Sequence, residues 1–203
     1  MQVVDKYGWG ERYEEDSHTY LIDPIEAALR EVQPSRVLDL GCGNGALTKK
    51  LSDKGYEISG CDVDQEGVDF AKQQGLNCFV HSVYDSPEAL GEGTYDAIIS
   101  AEVIEHLFTP MKLLETANYC LRPGGVLVIT TPYHGYLKNL VLALLNKWDT
   151  HMDPFWNGGH IKLWSRKTLE KALRESGFKV QRFEGAGRFP YLWKSMIFVA
   201  RKP

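Results

Sequence analysis

The stretch VLDLGCGNG, residues 37–45, carries an apolar run into an acid and then into glycines at every second position, Gly41, Gly43 and Gly45. Such a run, leaving a short buried strand for a tight turn and a helix, is the strand–loop–helix unit that presents bare backbone to a nucleotide-like ligand. Glycine supplies positive φ and no Cβ, so a ligand can approach the main chain closely. Asp39 makes the place negative: a pyrophosphate prefers free N–H groups without a carboxylate, whereas a cationic ligand welcomes one.

Working outward, strand and helix signals alternate. SRVLDL (35–40) reads as a strand and ALTKKLSDKG (46–55) as a helix, followed by the strand YEISGCD (56–62) and the helix QEGVDFAKQQG (65–75). NCFVHS (77–82) and TYDAIIS (94–100) are further strands, MKLLETANYCL (111–121) a helix behind Pro110, and GGVLVITTP (124–132) a fifth strand. After residue 132 come about thirty residues rich in aromatics and histidines, then a helix with Ser165 as N-cap and Gly177 at its end. FKVQRFEG and SMIFVARKP close the chain with no room for a helix between them, so they pair antiparallel. The expected fold is α/β: a doubly wound, mostly parallel seven-stranded sheet with a C-terminal antiparallel strand pair. Its ligand belongs at the carboxyl ends of the strands.

The 203 residues, 43% hydrophobic and 25% charged, suit one domain with a full core and exclude low complexity. No apolar run approaches the length of a membrane span, and MQVVDKYGWGERYEEDS lacks the basic start and apolar stretch of a signal peptide, so a cytoplasmic protein is expected. Cys42, Cys61, Cys78 and Cys120 form no C-x-x-C pair and read as buried thiols in a reducing compartment. The net charge of -4 divides unevenly, about -12 over residues 1–132 and +8 over 133–203. With an acidic pI and no recognisable motif, nucleic acid is a poor partner.

The glycine loop alone leaves two cofactor classes open. Gly41-x-Gly43-x-x-Ala46 satisfies the dinucleotide fingerprint, and Asp62, about twenty residues on, is placed for a ribose hydroxyl in either class. Four features favour S-adenosylmethionine: Asp39 before the glycines, SAEVIEH (100–106) after the fourth strand, LRPGG (121–125) leading into the fifth, and the closing strand pair. Together these residues closely resemble the class I S-adenosylmethionine-dependent methyltransferases, with their Rossmann-like fold, over nearly the whole chain. The EVIEH segment looks most like the branch of quinone-biosynthesis O-methyltransferases, whose acceptor is a phenol on a polyprenylated ring.

The resemblance implies roles. The loop Gly41, Cys42, Gly43 and Gly45 would pack on the methionine part of the cofactor, with Asp39 close to its amino group and Ala101 lining the same side. Asp62 would hold the ribose hydroxyls and Val63 the adenine. Ser82 stands where the family often has an acid reaching the adenine amino group, so a weaker contact or a backbone one from Val83 is expected. It implies one methyltransferase domain over 1–203, with 1–33 as a cap segment and 133–164 as a lid and acceptor-binding insert. Transfer to a phenolic or other hydroxyl oxygen of a small molecule is the expected reaction. NAD-dependent redox chemistry and a non-catalytic cofactor-binding regulator are the alternatives.

A phenol must lose its proton, which calls for a base or a metal. His160, in NGGHIKLWS, is the candidate base in the insert, or a histidine bracing it by hydrogen bonds. Glu102, Glu105 and His106, at i, i+3 and i+4 of a helical turn, could bind one divalent ion or merely brace a helix start. The quinone branch has been associated with a metal at such residues; none is assigned here. YLKNLVLALLNKW (136–148) places Leu137, Leu140, Val141, Leu144, Leu145 and Trp148 on one helical face, either a lid packed on its own core or, with Lys138 and Lys147, a peripheral membrane contact. Tyr7, Trp9, Tyr13, His18 and Tyr20 could close over the site as a flap or cover an edge of the sheet.

Overall fold

The structure, a computed structural model, describes residues 18–156 and 158–203. Seven strands form one sheet in the order β3-β2-β1-β4-β5-β7-β6. They are β1 (Val37–Leu40), β2 (Ile58–Asp62), β3 (Cys78–Val80), β4 (Tyr95–Ala101), β5 (Leu121–Pro132), β6 (Lys179–Ala186) and β7 (Ser195–Arg201). β1 to β5 are parallel, and β7 runs antiparallel between β5 and β6. The doubly wound expectation and the closing antiparallel pair are both present.

Seven helices accompany the strands among the described residues: α1 (His18–Val32), α2 (Ala46–Asp53), α3 (Gln65–Gln73), α4 (Met111–Cys120), α5 (Tyr136–Leu144), α6 (Trp148–Met152) and α7 (Arg166–Glu175). Both faces of the sheet are covered, so the central strands are apolar on both sides. The period of two on β5 shows this directly. Val126 and Val128 pack with Leu21, Ile25 and Leu29 of α1 and Leu47 and Leu51 of α2, whereas Leu127 and Ile129 pack with Leu113 and Leu114 of α4 and Leu169 and Leu173 of α7. Helix α1 was not anticipated; it fills the second part of the expected cap segment, residues 18–32 of 1–33, and its Leu21, Ile25, Ala28 and Leu29 are fully buried. Tyr7, Trp9 and Tyr13 and the side chain of His18 lie outside the described residues, so the flap expectation reduces to Tyr20.

α7 starts where Ser165 and Thr168 cap each other's backbone amides, and α3 where Asp64 accepts from the Glu66 amide at 2.9 Å. The order reverses between β1 and β4, the switch point at whose carboxyl ends such a sheet binds its ligand. Ser100 Oγ donates to Leu40 O at 2.9 Å and ties the two strand ends together there.

Candidate active site

The loop after β1 begins at this switch point with Gly41 at φ 90°, a conformation that L side chains rarely adopt. A Cβ on Gly41 would come within 2.4 Å of Val103 Cγ2, so the loop and the segment after β4 meet without space between them. Gly45, at φ 78°, precedes α2, and a Cβ there would press on Ala71 and Leu76 at 2.8 Å. Asp62, ending β2, accepts the Gly43 amide on Oδ2 at 2.8 Å and the Asp64 amide on Oδ1 at 2.9 Å. One carboxylate therefore fixes the glycine loop and the start of α3, and each oxygen keeps a lone pair for a further donor.

Asp39 is 1% exposed and accepts from Thr48 Oγ1 at 2.7 Å. Burial, reinforced by the charge of Asp62 and opposed by the Thr48 hydrogen bond, pushes its carboxyl up to about 7. A buried acid so placed is poised to favour a cation. Cys42 is buried and hydrogen-bonds with Cys78, which together with burial pushes its thiol well above the ordinary range; all four cysteines are buried and unbridged. Val63 is 37% exposed beside Asp62, an apolar surface open to a flat ring. Ser82 is buried and its hydroxyl accepts the Tyr84 amide at 3.2 Å, while Val83 is buried next to it. Ala101, half-buried, ends β4. The cofactor-directed residues thus gather at the ends of four adjacent strands.

The acceptor-directed residues are arranged differently from expectation. Glu102 has φ 56° and leaves the helical path; only Ile104–His106 form a turn, of the 3-10 kind. Its side chain swings to Thr130 Oγ1 and Ser195 Oγ, which donate at 2.7 and 3.0 Å, and Tyr20 OH lies 3.1 Å from that Ser195 hydroxyl. The expected set of Glu102, Glu105 and His106 on one face is therefore broken, because the left-handed residue turns Glu102 away from the other two.

His160 takes its place. One ligand-capable atom each from Glu105, His106 and His160 lies within 4.8 Å of the others. Glu105 is 1% exposed and accepts from Thr131 Oγ1 at 2.9 Å, and its carbonyl accepts the Ile161 and Lys162 amides, pinning the insert. His106 Nδ1 lies 2.6 Å from Gly158 O, and the rings of His106, Trp156 and His160 stand edge to face within 5.5 Å. Burial first, then the neighbouring histidines and Lys138, lowers His160 to about 4, so its ring is neutral at physiological pH. The trio suits a divalent cation chemically, two imidazoles and one carboxylate.

Of the two expectations for 136–148, the structure departs from the lid packed on its own core. The apolar stripe does not pack inward: Leu144 is 76% and Leu145 62% exposed, while Lys138 is 5% exposed. No helix among the described residues is long and apolar enough to cross a membrane.

Fold and site define a class I S-adenosylmethionine-dependent methyltransferase. The sequence matches the methyltransferase-domain family over residues 13–182, and the chain belongs to that family. It is 26% identical over 161 residues to the ubiquinone biosynthesis O-methyltransferase of Burkholderia pseudomallei, covering 76% of this chain and 69% of that protein. The enzyme of the same name from Parvibaculum lavamentivorans is 32% identical over 172 residues, 80% of this chain and 66% of that protein. A crystal structure of an S-adenosylmethionine-dependent methyltransferase from Aquifex aeolicus superposes with a TM-score of 0.68 at 22% identity, over 98% of this chain and all of that one. The dinucleotide alternative falls with these matches.

Proposed function

We propose that the protein transfers methyl to a phenolic or other hydroxyl oxygen of a small molecule seated between the β4 end and the 133–164 insert. The observation that carries this reading is the convergence of His160 with Glu105 and His106, on a segment whose Val103 abuts Gly41. S-adenosylmethionine supplies a methyl on a sulfonium, open to in-line displacement by the acceptor oxygen. Asp39 favours its ammonium, the loop of Gly41, Cys42, Gly43 and Gly45 cradles the methionine part beside Ala101, and Asp62 takes the ribose hydroxyls. Val63 and Val83 flank the adenine, Val83 through its backbone; the Ser82 N–H and C=O are both held by Asp85, and its hydroxyl accepts the Tyr84 amide.

His160, neutral because burial depresses it, accepts the proton that the acceptor hydroxyl loses as its oxygen is alkylated. The same convergence favours a second reading, in which Glu105, His106 and His160 would hold a divalent cation, whose Lewis acidity would favour loss of the hydroxyl proton. The relatives' name, ubiquinone biosynthesis O-methyltransferase, supports an oxygen acceptor and an apolar tail. The outward leucines of 136–148 fit such a tail or a membrane surface around it.

Transfer of isotope-labelled methyl to a catechol carrying a prenyl chain tests the reading, with the product's mass spectrum assigning the accepting atom. Label on oxygen supports it, and label on carbon or nitrogen refutes it. Repeating the assay with a chelator separates the two readings: unaffected transfer leaves His160 as base, and loss restored by magnesium installs the cation. Co-sedimentation with anionic liposomes tests the membrane contact, and no increase over neutral liposomes would count against it.

A further inference from the structure

Helix α5 is turned inside out. Tyr136, Leu144 and Leu145 face solvent, and the one buried residue of the helix is Lys138. Its ammonium donates to the Lys194 carbonyl at 3.2 Å, and the carboxylate acting on it, Glu102, already accepts from Thr130 and Ser195. Burying an ammonium in place of a leucine costs several kcal/mol by ordinary solvation physics unless a counter-charge comes to it.

Two histidines lie within electrostatic reach of Lys138. His134, just past β5, is 5% exposed, and its ring lies 5.3 Å from that of His151 on α6. Nε2 of each is buried and has no hydrogen-bond partner among the described residues. Arg188, on the β6–β7 connection, adds to the positive field at Lys138 and His151. Buried polar atoms are ordinarily satisfied, so a buried ammonium beside two imidazoles whose Nε2 atoms are unpaired among the described residues marks a place for an absent hydrogen-bonding group. Burial pushes His134 down to about 4 and lowers His151, so both rings are neutral as they stand, and an anion brought to them would favour their protonated, donating form. His134, His151 and Lys138 also act on His160, which puts them within electrostatic reach of the trio.

We propose that Lys138, His134 and His151 form a subsite for an anionic group, a carboxylate or phosphate carried by the methyl acceptor. The assignment rests on the methyl-transfer reading only for its statement that the anion belongs to the acceptor. Charge-assisted hydrogen bonds from an ammonium and two imidazoles hold the anion and fix the acceptor's orientation at the trio. The specificity is of the kind that rejects a neutral isostere, because the enclosed nitrogens are then left without partners.

The test is calorimetric titration with benzoate, phenyl phosphate and benzyl alcohol, each with and without S-adenosylhomocysteine. One or both anions should bind at least about tenfold more tightly than the alcohol, and the stronger of the two identifies carboxylate or phosphate. Lys138→Met should erase the preference, and Lys147→Met, at an exposed lysine of the same segment, should keep it. Because Lys138→Met removes a buried charge, its melting temperature should not fall; if it does fall, His134→Gln provides the second reading of the same loss. Equal affinity for anions and alcohol, or a preference that survives both Lys138→Met and His134→Gln, overturns the subsite. Failure of S-adenosylhomocysteine to bind while the anion preference stands would instead refute the methyl-transfer reading.

Discussion

Along the carboxyl ends of β1 and β2, one carboxylate holds two backbone amides, a glycine sits where no Cβ fits, and the loop packs on Val103 without a gap. The 133–164 insert, by contrast, keeps leucines outside and a lysine within, and Nε2 of His134 and of His151 has no hydrogen-bond partner among the described residues. The first region is finished before any ligand arrives. In the second, the proposed subsite would have its polar groups satisfied by the acceptor. A methyltransferase needs this division, since the cofactor is constant and acceptors differ.

The largest effect should come from removing the close approach. Gly41→Val places a side chain at φ 90° against Val103, and S-adenosylhomocysteine affinity should drop by on the order of 100-fold in calorimetry. Unchanged affinity would mean that the loop is less rigid than its contacts imply. His160→Ala, in the other region, should lower kcat by about 100-fold, the low end of general-base effects, with cofactor affinity within about twofold of wild type. A fall in affinity instead would erase the division between the regions.

A smaller effect follows from Asp39. Its folded pKa, about 7 against an ordinary 3.8, means that the ligand-free protein binds a proton between those values that the unfolded chain does not. Ligand-free stability should therefore decline as pH rises from about 4 to 7. A bound ammonium favours the ionised carboxylate, so cofactor affinity should rise with pH, by about tenfold from pH 6 to 7.5, with proton release on binding. Asp39→Asn should flatten that dependence. Smallest is Leu144→Asp on the exposed side of α5, which should change stability by no more than about 0.5 kcal/mol while weakening liposome co-sedimentation. A destabilisation beyond about 1 kcal/mol would show that the stripe packs on protein after all.

The two regions were also unequally legible in the sequence. β1, its glycines and Asp62 announce themselves because strand period, turn chemistry and spacing agree, and the structure places them together. Helix α1 hid behind Asp23-Pro24, a dipeptide that argues against a helix, and burial of Leu21, Ile25 and Leu29 against the sheet outweighs it. The period of α5 shows which residues share a face but not what that face meets, so an outward stripe reads like an inward one. Glu102 at positive φ left no compositional mark, because the conformation is imposed by Thr130 and Ser195 from distant strands. The meeting of His160 with Glu105 and His106 depends on the insert folding back onto the β4 end, through the Ile161 and Lys162 amides, which no local pattern reveals.

The division of labour is tested most directly by calorimetry of S-adenosylhomocysteine with Asp62→Ala and His160→Ala, alongside methyl transfer by each. Cofactor affinity should be lost in Asp62→Ala and kept in His160→Ala, with transfer impaired in both. Affinity retained in Asp62→Ala, or lost in His160→Ala, would contradict a finished cofactor site served by a separate acceptor insert.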